Sequence, residues 1–211
     1  MRNEPVIVFD FETTGHSPQQ GDRPIEIGAV KIENDMIVDR FQSLMNPDFT
    51  ISSTIEAITG ISNELVMQAR PCEEVMEEFY AFIGNTPLVA HNAGFDISFL
   101  DTELTHLGHH RENEVACSML ISRRIFPDAD NHKLKTLIEY CGIFSSDVFH
   151  RALEDAEKTG HVWIAMRDAI KEKFGVKTVS FNLMQQVEKM AKAKVGPYLE
   201  KVARQQQSSL F

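Results

Sequence analysis

Apolar residues along this chain fall into short runs with strand character and longer stretches at helical spacing. Val6-Ile7-Val8-Phe9-Asp10-Phe11-Glu12-Thr13-Thr14-Gly15 opens with an apolar run bounded by a Thr-Thr-Gly turn, which predicts a buried central strand. Ile25 to Ile32 resumes the strand pattern, Asn34-Asp35 reads as its turn, and Met36 to Leu44 follows as a third strand. Thr54 to Arg70 reads as short helices broken at Thr59-Gly60, with Ser62 as an N-cap. After Pro71, residues Val75, Met76, Phe79, Phe82 and Ile83 recur at helical spacing until Gly84. Leu88-Val89-Ala90 is a short strand entering His91-Asn92-Ala93-Gly94-Phe95-Asp96, after which Phe99, Leu100, Leu104 and Leu107 mark a helix. Val115 to Ser118 is predicted as a fifth strand, and helices follow over Met119 to Phe126 and Leu134 to Cys141. A longer helix opens at His150-Arg151 and runs to Phe174-Gly175. Thr178 to Val195 then places Phe181, Met184, Val187, Met190 and Ala191 on one face, and Gly196-Pro197 is expected to separate it from a final segment, Tyr198 to Arg204.

A meander followed by strand-helix alternation predicts an α/β domain with five strands flanked by helices. Near Gly175 the composition shifts, because Asp disappears and Lys, Met and Gln accumulate. The expected division is therefore residues 1–175 and a helical extension over 176–211. The net charge of −10 is uneven: Lys171 to the C-terminus carries eight Lys/Arg against three Glu, which leaves −15 on residues 1–170. An acidic body steers nucleic acid poorly, but bound cations and a local basic track can still hold an end. Arg123, Arg124, His132, Lys133 and Lys135 are candidates for such a track, or simply exposed helix charge. No run reaches the length of a membrane span and the N-terminus lacks a signal peptide's apolar core, so a cytoplasmic location and no membrane partner are expected. Cys72, Cys117 and Cys141 lack the spacing of a zinc site and are expected to be reduced core residues.

Side chains at i and i+2 on a strand share a face, so Asp10 and Glu12 project together from an apolar element. At about 5 Å and an effective ε near 20 two such charges repel by roughly 3 kcal/mol, and burial adds to the cost. A cation is therefore expected beside them, unless the pair is simply solvated at the strand end. Asp96 lies where a strand turns into a helix, either as an acid favouring the helix dipole or as a further member of the group. His150 stands at the mouth of the long helix and Asp155 about one and a half turns in, so both can face one site if the histidine belongs to the preceding loop. The competing reading is an Arg151–Asp155 pair at i,i+4.

Asp10-x-Glu12-Thr13, Asn92-x-x-Phe95-Asp96 and His150 with four residues intervening before Asp155 resemble, in this order, the DEDD superfamily of 3′→5′ exonucleases. The likeness is to its histidine subclass, which includes the bacterial polymerase III proofreading subunit, and covers residues 6 to 175. It implies a ribonuclease H-like mixed sheet and two Mg²⁺ or Mn²⁺ ions. Asp10 would bridge both ions, with Glu12, Asp155 and Asp96 as the other ligands and His150 as general base. It further implies that Thr13, Ile58, Asn92 and Phe95 hold the 3′ end. Thr59-Gly60-Ile61 departs from the His-Gly-Ile that proofreading subunits often carry there. The expected activity is hydrolysis of single-stranded DNA ends to nucleoside monophosphates in proofreading or repair. Single-stranded RNA is the alternative substrate, and an inactive scaffold in a polymerase assembly the alternative role. Gln207-Ser208-Ser209-Leu210-Phe211 resembles the pentapeptide that binds the sliding clamp, which marks Gln207, Leu210 and Phe211 as partner-binding candidates beside a DNA polymerase.

Overall fold

Helices cover both faces of the strand β1 (Val6–Thr13), and for that reason its sequence is apolar at nearly every position. The structure, a computed structural model, describes residues 4–144 and 151–208. β1 pairs antiparallel with β2 (Pro24–Glu33), and β2 with β3 (Met36–Asn46), giving the expected meander. Its β2–β3 turn places Asn34 and Asp35 at φ 52° and 62°, the left-handed geometry that these two residue types tolerate best after glycine. Next come α1 (Ser53–Thr59) and α2 (Asn63–Gln68), capped by Ser52 and Ser62, then β4 (Arg70–Pro71) and α3 (Cys72–Ile83). β5 (Leu88–Ala90), α4 (Gly94–His106), β6 (Val115–Cys117), α5 (Ser118–Ile125) and α6 (Leu134–Tyr140) follow. α7 (Ala152–Phe174), α8 (Phe181–Lys189) and α9 (Lys192–Ser208) complete the described chain.

The sheet runs β4-β3-β2-β1-β5-β6, with β5 parallel to β1 and β6 parallel to β5. It is mixed, as expected, but has six strands rather than five. The additional strand is the two-residue β4, held by pairing with Met45 and Asn46 and too short to leave a periodic signal. Even-numbered residues of β1 and β2 (Val6, Val8, Val30, Ile32) pack with Val162, Trp163 and Met166 of α7, whereas Ile7, Phe9, Phe11, Ile27 and Ala29 pack with α3 and α4. Asp10, Glu12, Glu26 and Gly28 belong to the α7 face by the same alternation.

The C-terminal segment differs from expectation. α9 passes through Gly196-Pro197 without a break, because Val195, Leu199 and Ala203 are buried at i, i+4 and i+8 and offset the hydrogen bond that proline removes. Gln207 and Ser208 lie in its last turn. Leu210 and Phe211 lie outside the described residues. α8 covers the outer edge of β6, with Gln185 donating to the Val115 carbonyl at 2.9 Å and Glu188 accepting from the Cys117 N–H at 2.9 Å.

Candidate active site

The central strand carries Asp10 and Glu12 at its C-terminal end, where β5 has already stopped and α4 begins. Asp96, in the first turn of α4 and 2% exposed, reaches back to β1, and its Oδ1 accepts the Phe11 N–H at 3.1 Å. The acid is thereby tied to the backbone between Asp10 and Glu12, and its contact with β1 goes beyond a helix-dipole role. Its turn is fixed by Asn92 at φ 72° and by His91, whose Nε2 lies 3.0 Å from the His132 carbonyl and Nδ1 2.9 Å from Ser118 Oγ. Burial lowers the His91 pKa to about 4, so the ring is neutral and the Nε2–H donates to that carbonyl.

Asp155 enters from the first turn of α7. One carboxylate oxygen from each of Asp10, Glu12 and Asp155 can be chosen so that all three lie within 4.8 Å of one another. Burial, then the charges of Asp96, Glu12, Asp155 and Glu26, push the Asp10 carboxyl well above the usual range. Burial first, then Asp155, Glu26 and Asp96, raise Glu12 to about 8, with Arg151 acting in the opposite sense. Burial raises Asp96 to about 7 against the donated N–H of Phe11. Lys158, buried on α7, sets its ammonium 3.6 Å from Asp155 Oδ1 and offsets part of this repulsion.

Such a cluster fits a hard divalent cation. Its donors are carboxylate oxygens, suited to Mg²⁺ or Mn²⁺, and a dication would relieve the like-charge crowding that helps to raise Asp10 and Glu12. Arg151 does not pair with Asp155 as the i,i+4 reading had it, and instead forks onto Glu26 at 2.9 and 3.1 Å. His150 lies outside the described residues. Thr13 follows Glu12 and donates its hydroxyl to the Gly15 carbonyl, Phe95 is half-buried with its ring 5.1 Å from that of Phe99, and Ile58 is 51% exposed on α1. Glu26 escaped the sequence reading. Its signal was a lone carboxylate on the strand face that it shares with Val30 and Ile32.

A mixed sheet with acids gathered at the end of its central strand is the arrangement of a ribonuclease H-like nuclease fold. The RNase T exonuclease family matches residues 7–163, a span containing all four acids, and the chain belongs to that family. It is similar to the PolC-type DNA polymerase III of Caldanaerobacter subterraneus subsp. tengcongensis, 44% identical over 174 residues, and to the 3′-5′ exonuclease DinG of Bacillus subtilis, 38% identical over 173 residues. Each match covers 82% of this chain, which spans only 12% and 18% of those proteins. Among solved structures, Exonuclease X in complex with 5′ overhanging duplex DNA superposes with a TM-score of 0.67 at 24% identity, covering 87% of this chain and 99% of that one. That likeness carries the fold.

Proposed function

We propose that this chain is a metal-dependent 3′→5′ exonuclease that hydrolyses phosphodiester bonds at single-stranded DNA 3′ ends and releases nucleoside monophosphates. The observation that carries the reading is the convergence of Asp10, Glu12 and Asp155 beside an Asp96 bonded to the same strand. These four acids hold two ions, Mg²⁺ or Mn²⁺, which when bound supply Lewis-acid polarisation of the phosphodiester and a nucleophilic water at neutral pH. His150 takes the proton of the attacking water, a role worth about 10²–10⁴ in rate. Thr13 and Asn92 meet the terminal sugar and backbone, and Ile58 and Phe95 pack on the last base without reading its identity. Residues 1–175 form the exonuclease unit and 176–211 its helical extension, acting in the cytoplasm in proofreading or repair. The polymerase and exonuclease relatives support that setting.

The direct test incubates end-labelled single-stranded DNA, single-stranded RNA and mismatched duplex with Mg²⁺, Mn²⁺ or EDTA. DNA shortened from its 3′ end only with metal is the expected result. Preference for RNA would move the assignment to an exoribonuclease, and no cleavage of any substrate would leave a scaffold.

Metal and protons compete for the same carboxylates. Glu12 and Asp96 titrate near 8 and 7 when folded and near the ordinary 4.5 and 3.8 when unfolded, so between these limits the native state binds more protons. Stability of the metal-free protein should therefore fall as pH rises from 5 to 8. Metal at 100 times its Kd stabilises by about 2.7 kcal/mol, or about 5–11 °C in Tm for a chain of this size. The rise should be larger at pH 8 than at pH 5. Melting curves with and without EDTA check both, and a metal effect independent of pH would count against the carboxylate cluster as the binding site.

The terminal residues Gln207, Leu210 and Phe211 supply a sliding-clamp contact, Leu210 and Phe211 as apolar anchors. Deleting the last two residues should abolish clamp binding measured by calorimetry and leave hydrolysis of short oligonucleotides unchanged. Equal binding by both forms, or by neither, would remove the clamp from the partners.

A further inference from the structure

Glu26 is completely buried on β2, directly opposite Glu12, yet it is engaged quite differently from the acids of the cluster. Its Oε1 accepts from Gln42 Nε2 at 3.0 Å and Arg151 Nη2 at 2.9 Å, and its Oε2 from Arg151 Nε and the Ala152 N–H, both at 3.1 Å. Four donors from β3 and from the start of α7 thus converge on one carboxylate. The N-cap residue of α7, Arg151, makes no capping bond with its own side chain. Glu26 therefore accepts, from the sheet, one of the N–H groups that a helix start leaves open, and does so with a charged acceptor at the positive end of the helix dipole. The first helical bond of α7 then runs from the Asp155 N–H to the Arg151 carbonyl at 3.0 Å. A continuous set of bonds leads from Glu26 through Arg151 and Ala152 to the backbone of Asp155. His150 immediately precedes Arg151 in the chain.

We infer that Glu26 and Arg151 are a positioning pair that seats the start of α7 on the sheet and so sets Asp155 against Asp10 and Glu12. The inference rests on the nuclease reading of the site. Glu26 holds the helix start that carries one member of the cluster, through the Ala152 N–H and the Arg151 side chain, while its own oxygens stay committed to protein donors. Supports of this kind around a metal site are worth about 10–100-fold in affinity or activity when removed.

The pair can be separated from simple electrostatics because its two members have opposite charge. Loss of Glu26 removes a negative charge near the cluster, and loss of Arg151 removes a positive one, so a purely electrostatic role predicts metal affinities shifting in opposite directions. A positioning role predicts that both weaken. Mn²⁺ titrated by calorimetry into wild type, Glu26→Gln and Arg151→Gln, well below each protein's Tm, is the primary measurement. Steady-state hydrolysis of a short oligonucleotide at saturating metal is the second. Both variants are expected to bind Mn²⁺ about 10-fold more weakly and to lose about 10–100-fold in kcat with KM near wild type. Tighter Mn²⁺ binding by Arg151→Gln, or wild-type affinity and kcat in both variants, would overturn the inference. A raised KM with unchanged kcat in Arg151→Gln would reassign that side chain to substrate binding and overturn it too. The Arg151 side chain is 42% exposed, so its variant decides the matter even if Glu26→Gln fails to fold. A wild type that neither binds Mn²⁺ nor cleaves would bring down the nuclease reading itself, a result distinguishable from variants that merely match an active wild type.

Discussion

Asp10→Ala is expected to lower 3′-end hydrolysis by at least ~10³-fold while leaving the metal-free protein as stable as wild type, or more so. The two effects have one cause. Asp10 sits among Asp96, Glu12, Asp155 and Glu26, and burial together with those neighbours raises its pKa well above the usual range. The folded chain holds it at a cost in the absence of a cation, and removing it relieves repulsion on every remaining member. With metal present the sign reverses. Losing metal-borne charge stabilisation worth several kcal/mol in the transition state corresponds, at about 1.4 kcal/mol per decade, to three decades or more in rate. A buried aspartate with a structural role would behave otherwise, because its replacement typically costs about 1 kcal/mol whatever the metal. A gel assay and paired melting curves in EDTA and in Mg²⁺ separate the cases. The variant should show no loss of Tm in EDTA and little of the wild-type rise in Mg²⁺. Wild-type turnover, or a Tm several degrees lower in EDTA, would contradict the assignment.

What could be read from the sequence follows the range of the interactions involved. β1 was legible because an apolar run ending in Asp10-x-Glu12 contrasts two residue classes within ten positions, and the meander because Asn34-Asp35 supplies a turn that its own backbone geometry demands. The strand-turn-helix around Asp96 was legible for the same reason, since Leu88-Val89-Ala90 and the helical spacing after Phe95 are both local. Interactions across long separations were not. β4 exists only through its pairing with Met45 and Asn46, and the uninterrupted α9 only through burial of Val195, Leu199 and Ala203 against the rest of the core. Glu26 takes its donors from residues 16, 125 and 126 positions away, so no window of sequence around it displays its partners. Arg151 misled for the complementary reason, because a local partner at i+4 was visible and the distant one was not.

Gly28→Ala should be among the most damaging single-methyl additions in this chain, costing about 3 kcal/mol and, through displacement of Asp155, about 10²-fold in rate. Gly28 lies on the α7 face of β2, two residues from Glu26, and a Cβ there would overlap the backbone of Ala152 and Leu153. No flexible side-chain end can swing aside. Either the first turn of α7 lifts from the sheet or β2 bends away, and overpacking of this kind costs about 1–3 kcal/mol, or more where backbone must move. For a chain of this size about 3 kcal/mol lowers Tm by about 6–12 °C. The helix that moves is the one that carries Asp155, and a misplacement near 1 Å at a reacting centre is enough for about 10²-fold. Gly160→Ala supplies the comparison. Further along the same helix, beyond Asp155, its Cβ would meet side-chain atoms alone, nearest the methyl groups Ile32 Cδ1 at 3.0 Å and Val30 Cγ2 at 3.5 Å, which can yield where backbone cannot. That variant should lose some stability and keep its specific activity below Tm, whereas Gly28→Ala should lose both. Equal activity in the two folded variants would mean that the seat of α7 on β2 does not govern where Asp155 stands.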